Sequence, residues 1–240
     1  MRLVDLFGGT RRGRHRDVQA SGARAAVLGA GDGLLTNVSL ILGVAGASPP
    51  ASTVRLAGLS GLLAGAFSMA AGELVSVRAQ DELAEREVSV ERQEIADDPH
   101  GEQRELARMY EDKGLSHDHA DTVAAILMSN DTLALDAHAQ LELGVDPHEP
   151  PAAGQAAVAS FVSFSLGALI PLFPWFFVAG TAAVVASIVF AAFAALALGA
   201  SIGKFTGAGV GRTAVRQLLA AMLAAGVTYV VGSLLGTGSA

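Results

Sequence analysis

The sequence contains no cysteine. That excludes disulfides and any thiolate metal site, and leaves the redox compartment of the chain open. Charge is scarce at 16% of residues, and aromatics are scarcer at 5%, with a single Trp. Only 16 Lys and Arg are present, against 23 Asp and Glu; phosphate binding needs clustered Lys and Arg, so a nucleic-acid partner is not expected. The basic N-terminus, MRLVDLFGGTRRGRHRDVQ, has no apolar run directly behind it, which argues against a cleavable signal peptide.

What charge there is falls mostly in one place. Residues 81–149 hold 19 of the 23 Asp and Glu and five of the six His, against five Lys or Arg. The rest of the chain is mainly Ala, Gly, Leu, Val, Ser and Phe, and the mean hydropathy is +0.45. A bilayer core takes about 20 apolar residues per helix. Five segments reach that length, at about 25–47, 53–77, 153–173, 175–200 and 213–235. The expected fold is therefore all-α: a polytopic membrane protein with five transmembrane helices and an inserted three-helix cytoplasmic metal-binding domain. The implied division is a basic N-terminus at 1–24, spans one and two at 25–80, the acidic domain at 81–149, and spans three to five at 150–240.

Orientation follows from the basic residues. With the N-terminus in the cytoplasm, 15 of the 16 Lys and Arg lie inside and only Arg55 lies outside, as the positive-inside rule requires. Arg11, Arg12, Arg14 and Arg16 read as a juxtamembrane stretch. Arg24, Arg78, Lys204, Arg212 and Arg216 sit near span ends. The composition leans toward a bacterial plasma membrane.

Prolines mark the outer turns, SPPAS after span one and PLFPW between spans three and four, the latter with a Trp suited to the interface. The pairs Gly61/Gly65, Gly199/Gly203 and Gly232/Gly236 permit close helix contact. The stretch GAGVGR at 207–212 lacks the Lys-Ser/Thr ending of a phosphate loop and reads as a flexible connection. In the acidic block, span two is expected to continue as helix to about residue 96 and to break at Asp97–Gly101. Helices then follow at about 102–113, at 116–128 with Ser116 as cap, and at 131–143.

Several of the acids share helix faces. Glu87, Glu91 and Glu94 are spaced i, i+4, i+7; Glu102 and Glu105 i, i+3; His138 and Glu142 i, i+4. On composition alone a solvated face is the simpler reading. The alternative is a bound cation that offsets the repulsion, and carboxylates with an imidazole suit Mg²⁺, Mn²⁺ or Fe²⁺. Asp32, within span one and followed by Thr36 and Asn37, is an ionisable group at membrane depth. It is either a functional residue or an interhelical hydrogen-bonding one. Met69 and Glu73 lie i, i+4 on span two.

The motifs DGLLTNVSLILGVAGA, AGAFSMAAGELVSVRAQ and ALIPLFPWF, with the acidic helices between them, resemble the vacuolar iron transporter family. The likeness runs from about Gly29 to the C-terminus. It implies a homodimeric transporter in the lipid bilayer, not an enzyme, that moves Fe²⁺ and other divalent metals such as Mn²⁺ out of the cytoplasm in exchange for protons. No cofactor is implied as permanently bound; the metal is cargo and regulator. Along the motifs, Asp32 and Met69 fall on transport-path residues, and Glu73 is the candidate to share proton coupling. Glu91, Glu94, Glu102, Glu105 and Glu142 match the family's metal-binding glutamates. The chain departs from the family pattern where Gly61 and Ala25 stand for acids, and where His138-Ala139 replaces a methionine pair, which makes His138 a replacement ligand. Two rival readings are a membrane-anchored di-iron enzyme of ferroxidase type, which the missing Glu-x-x-His motif disfavours, and a metal-sensing gated channel.

Overall fold

The computed structural model describes residues 21–148 and 152–236. The basic stretch at 1–20, the segment 149–151 around the expected domain boundary, and the side chain of Arg24 lie outside the described residues. Among the described residues the chain is helical throughout, with α1 Ser21–Gly46, α2 Ala51–Asp97, α3 Pro99–Asp112, α4 His117–Met128, α5 Asp131–His138, α6 Ala153–Leu172, α7 Gly180–Thr206 and α8 Val210–Gly236. Five of these are long and apolar enough to cross a membrane: α1, α2, α6 with its following turn, α7 and α8.

The described residues divide into two compact units. One comprises the chain up to Ala66 together with Ala159 onward; the other is Phe67–Val158. In the first, α1, α7 and α8 pack around Leu34, Val38, Leu42, Ala191, Ala195, Ala221 and Ala225. A second core joins Ile41, Ala45, Val54, Leu172, Trp175 and Ala183. Small residues make this packing possible. A Cβ on Gly33 would lie 2.1 Å from the Phe164 carbonyl oxygen, and one on Gly232 would lie within 1.8 Å of that of Gly43. Backbones approach this closely only where a side chain is missing. The GxxxG pairs are therefore used within the chain: Gly199 and Gly203 meet α8 at Thr213 and Val210, Gly232 and Gly236 meet Gly43 and Ala47, and Gly65 faces the Phe164 ring.

Two expectations for the outer turn between spans three and four are corrected. Pro171 lies inside α6, Phe173–Phe176 form a 3₁₀ turn, and the next helix begins at Gly180 rather than near 175. Trp175 is buried, not interfacial: its indole N–H donates to Ser187 Oγ at 2.9 Å, and that hydroxyl donates to the Pro171 carbonyl at 2.7 Å. An indole at low dielectric needs such a partner, and Ser187 supplies it inside the core.

At 47 residues, α2 is about 70 Å long, more than twice a bilayer core. Its charged half continues the helix past Arg78 because no Gly or Pro intervenes before Pro99. The break that follows is a single residue. Asp98 caps α3, its Oδ1 accepting the Gly101 N–H at 2.9 Å, and Pro99 occupies the first turn, where its missing N–H costs nothing. Hence α3 starts at Pro99, not at 102. Asn130 caps α5 through the N–H groups of Thr132 and Leu133. Ser116 makes no side-chain cap to α4; its Oγ lies 2.6 Å from His119 Nδ1 instead. Leu106, Ala107, Ala120 and Ala124 form the small core between α3 and α4.

Candidate metal centre

Three elements of the second unit bring the site together. Glu91 lies on the charged half of α2. Glu102 stands in the first turn of α3, where the chain has reversed at Asp98 and the helix N-terminus favours a carboxylate. His138 is the last residue of α5, and Glu142 lies in a five-residue π turn, Ala139–Leu143, that follows directly. The π turn closes on Gly144 at φ +69°, with the Val145 N–H donating to the Ala139 carbonyl at 3.1 Å. Such wide turns are rare and recur at functional sites. Gly is suited to the left-handed backbone that ends this one.

Glu91 is 3% exposed and His138 0%. His138 Nδ1 lies 3.0 Å from Glu91 Oε1, 3.7 Å from Glu102 Oε2 and 3.9 Å from Glu142 Oε2. Despite the 3.0 Å approach, Glu91 Oε1 and His138 Nδ1 are not aligned for a hydrogen bond, and neither has another partner. Buried polar atoms are ordinarily paired. Two buried polar atoms that converge without hydrogen-bond geometry leave room for a cation. Ligands about 2.1 Å from one ion stand about 3.0 Å apart at octahedral angles and about 3.4 Å at tetrahedral ones. The ligand atoms of Glu91, His138 and Glu142 all lie within 4.8 Å of one another. The Glu142 side chain is 40% exposed and gives the cluster its opening to solvent.

Electrostatics agree with the geometry. Burial, and then the negative charges of Glu142, Glu102 and Glu94, push the Glu91 carboxyl up from 4.5 to about 7. Glu102 is also raised, by burial and then by Glu105, Glu94, Glu142 and Asp98. His138 is lowered by burial against the opposing pull of Glu142 and Glu105, so its ring favours the neutral form that can ligate. The exposed His117 behaves in the opposite way. Its Nδ1 sits 2.5 Å from Glu111 and its Nε2 3.4 Å from Asp121, and the hydrogen bond to Glu111, with both charges, raises it.

Of the site residues expected from sequence, the structure thus brings Glu91, Glu102, His138 and Glu142 together. Glu94 and Glu105 are exposed and act on the cluster through their charge. Asp32 lies on the exposed face of α1, where it accepts the Thr36 hydroxyl at 3.3 Å. Met69 and Glu73 are half-buried on α2, in the second unit with the cluster but not part of it. Sequence reading missed the role of Asn37, which is fully buried and donates its amide to the Ala168 carbonyl at 2.6 Å, tying α1 to α6. An amide within an apolar run was the one available sign.

Five helices long and apolar enough to cross a membrane define a multi-pass helical membrane protein, and its second unit carries a cluster of carboxylates around a buried imidazole. The profile described as the VIT family matches residues 23–233. The chain is similar to vacuolar iron transporter 1 of Tulipa gesneriana, 29% identical over 86% of this chain and 84% of that one. It is 35% identical to the vacuolar iron transporter of Acanthamoeba castellanii, over 88% of this chain and 77% of the relative. It is 35% identical to vacuolar iron transporter homolog 1 of Oryza sativa subsp. japonica, over 91% and 75%. The chain belongs to the VIT family. It is accordingly a metal transporter and not an enzyme, and the ferroxidase reading falls away.

Proposed function

We propose that the protein exports Fe²⁺, and also Mn²⁺, from the cytoplasm in exchange for protons. The observation that carries this reading is the buried pair Glu91 and His138, unpartnered and facing Glu102 and Glu142, in a chain with five apolar helices. The acidic unit faces the cytoplasm, as the distribution of Lys and Arg favours, and gathers the ion. Asp32, Met69 and Glu73 then pass it across the membrane, which we take to be a bacterial plasma membrane. An exposed carboxylate on an apolar helix supports a homodimer, because lipid is a costly neighbour for Asp32 and a second copy would cover it. A proton taken up by Asp32 from the far side weakens its hold on the metal and links the two fluxes.

The test is flux into proteoliposomes under an imposed pH gradient. Asp32→Ala abolishes both metal movement and the matching pH change while the acidic unit still binds metal. Transport that survives this substitution refutes the assignment of Asp32. Flux without a pH change refutes exchange. If Glu91→Ala and Glu142→Ala leave flux intact while removing metal binding, the acidic unit is a sensor rather than a loading site.

A further inference from the structure

We infer that His138 decides which ions the acidic unit accepts: its Nδ1 is a metal ligand, and it selects transition ions that bind imidazole over Mg²⁺ and Ca²⁺. This rests on the reading of the unit as a metal-loading site and adds the residue that discriminates. Carboxylates alone do not discriminate in this way. Glutamate oxygens suit Mg²⁺, Ca²⁺ and Mn²⁺, and a purely acidic site would be open to whichever hard ion is most abundant. A neutral imidazole changes the preference, because its nitrogen suits Fe²⁺, Co²⁺, Ni²⁺, Cu²⁺ and Zn²⁺ better than the hard ions Mg²⁺ and Ca²⁺, with Mn²⁺ the weakest of the transition ions.

The ring stands at the centre of the carboxylates. Nδ1 is the common neighbour of three carboxylates, at 3.0 Å from Glu91, 3.7 Å from Glu102 and 3.9 Å from Glu142. An ion that bridges Glu91 to either of the others falls within reach of that nitrogen. The ring is 0% exposed and neither of its nitrogens has a hydrogen-bond partner. An ion that declines nitrogen leaves a desolvated lone pair unpaired, whereas one that accepts it satisfies both His138 and Glu91 at once. His117, exposed and engaged by Glu111 and Asp121, has no such free nitrogen.

The experiment uses the full-length protein in detergent, titrated with Mn²⁺, Co²⁺ and Zn²⁺ in a large excess of Mg²⁺. Wild type is expected to hold Co²⁺ and Zn²⁺ more tightly than Mn²⁺ and to ignore Mg²⁺. His138→Gln keeps the carboxylates, so Mn²⁺ binding survives while Co²⁺ and Zn²⁺ weaken by at least the roughly 10–100-fold that loss of even an outer-shell partner costs. An unchanged Co²⁺-to-Mn²⁺ ratio in the variant overturns the inference. A second measurement needs no variant: pulsed EPR of Mn²⁺-loaded wild type shows coupling to an imidazole ¹⁴N. Bound Mn²⁺ without that coupling also overturns it, and leaves the metal-loading reading standing. If wild type binds none of these ions, both fall together.

Discussion

Metal and proton compete for Glu91, and its burial sets the pH at which the competition turns. An ordinary glutamate near 4.5 is still about nine-tenths ionised at pH 5.5. Glu91, pushed up to about 7 by burial and by Glu142, Glu102 and Glu94, is about nine-tenths ionised at pH 8 and about 3% ionised at pH 5.5. Because only the carboxylate ligates, metal affinity should fall about 30-fold between those two values through this residue alone. Glu102, raised in the same direction, makes the fall steeper. His138, held neutral by burial, takes up no proton in the upper part of the range and does not contribute there. The assay is a Co²⁺ titration of the full-length protein from pH 8 to 5.5, beside Glu91→Gln. The variant should bind weakly at pH 8 and lose most of the slope. A wild-type affinity that changes by less than about threefold over this range, or a slope equally steep in Glu91→Gln, would refute the reasoning.

Without metal, the same shift acts on stability with the opposite sense. The folded pKa of Glu91 lies above its unfolded value, so its contribution is full below about 4.5 and is lost as pH rises through about 7. Burial of His138 opposes this near pH 6, so the check is the difference between variants: from pH 6 to pH 8 the melting temperature of the metal-free wild type should change less favourably than that of Glu91→Gln, and equal changes contradict the reasoning. In the first unit, Gly33→Ala places a Cβ against the Phe164 backbone oxygen and should destabilise by about 1–3 kcal/mol, since two helix backbones must part. Gly72→Ala has nothing within 4 Å and should be neutral or stabilise by up to about 1 kcal/mol. Detergent melts that rank the two the other way would contradict the helix packing described above.

Much of this was legible in order along the chain. The apolar helices, the run of α2 into the acidic block, and the stop near Asp98 follow from hydropathy and from one proline, which act locally. In the sequence Pro99 reads as part of a break, because the same residue can end one helix and open the next; the Asp98 carboxylate capping Gly101 decides which. Trp175 reads as an interfacial residue because nothing in PLFPW reveals that Ser187, on the following helix, accepts its N–H. Likewise the glycine pairs could have faced another copy, and the structure shows them spent on neighbouring helices of the same chain.

By itself the sequence determined the helices, their membrane-spanning lengths and the gathering of acids into one segment. Each of these depends on composition or short-range spacing, and folding does not alter either. Only the tertiary structure decided which acids matter and how. Glu87, Glu91 and Glu94 share a helix face, yet only Glu91 is buried with His138 while Glu87 and Glu94 stay exposed. That difference arises where α2, α3 and the end of α5 converge. Burial there removes water from one carboxylate and one imidazole, shifts both toward their neutral forms, and leaves two polar atoms 3.0 Å apart without a hydrogen bond between them.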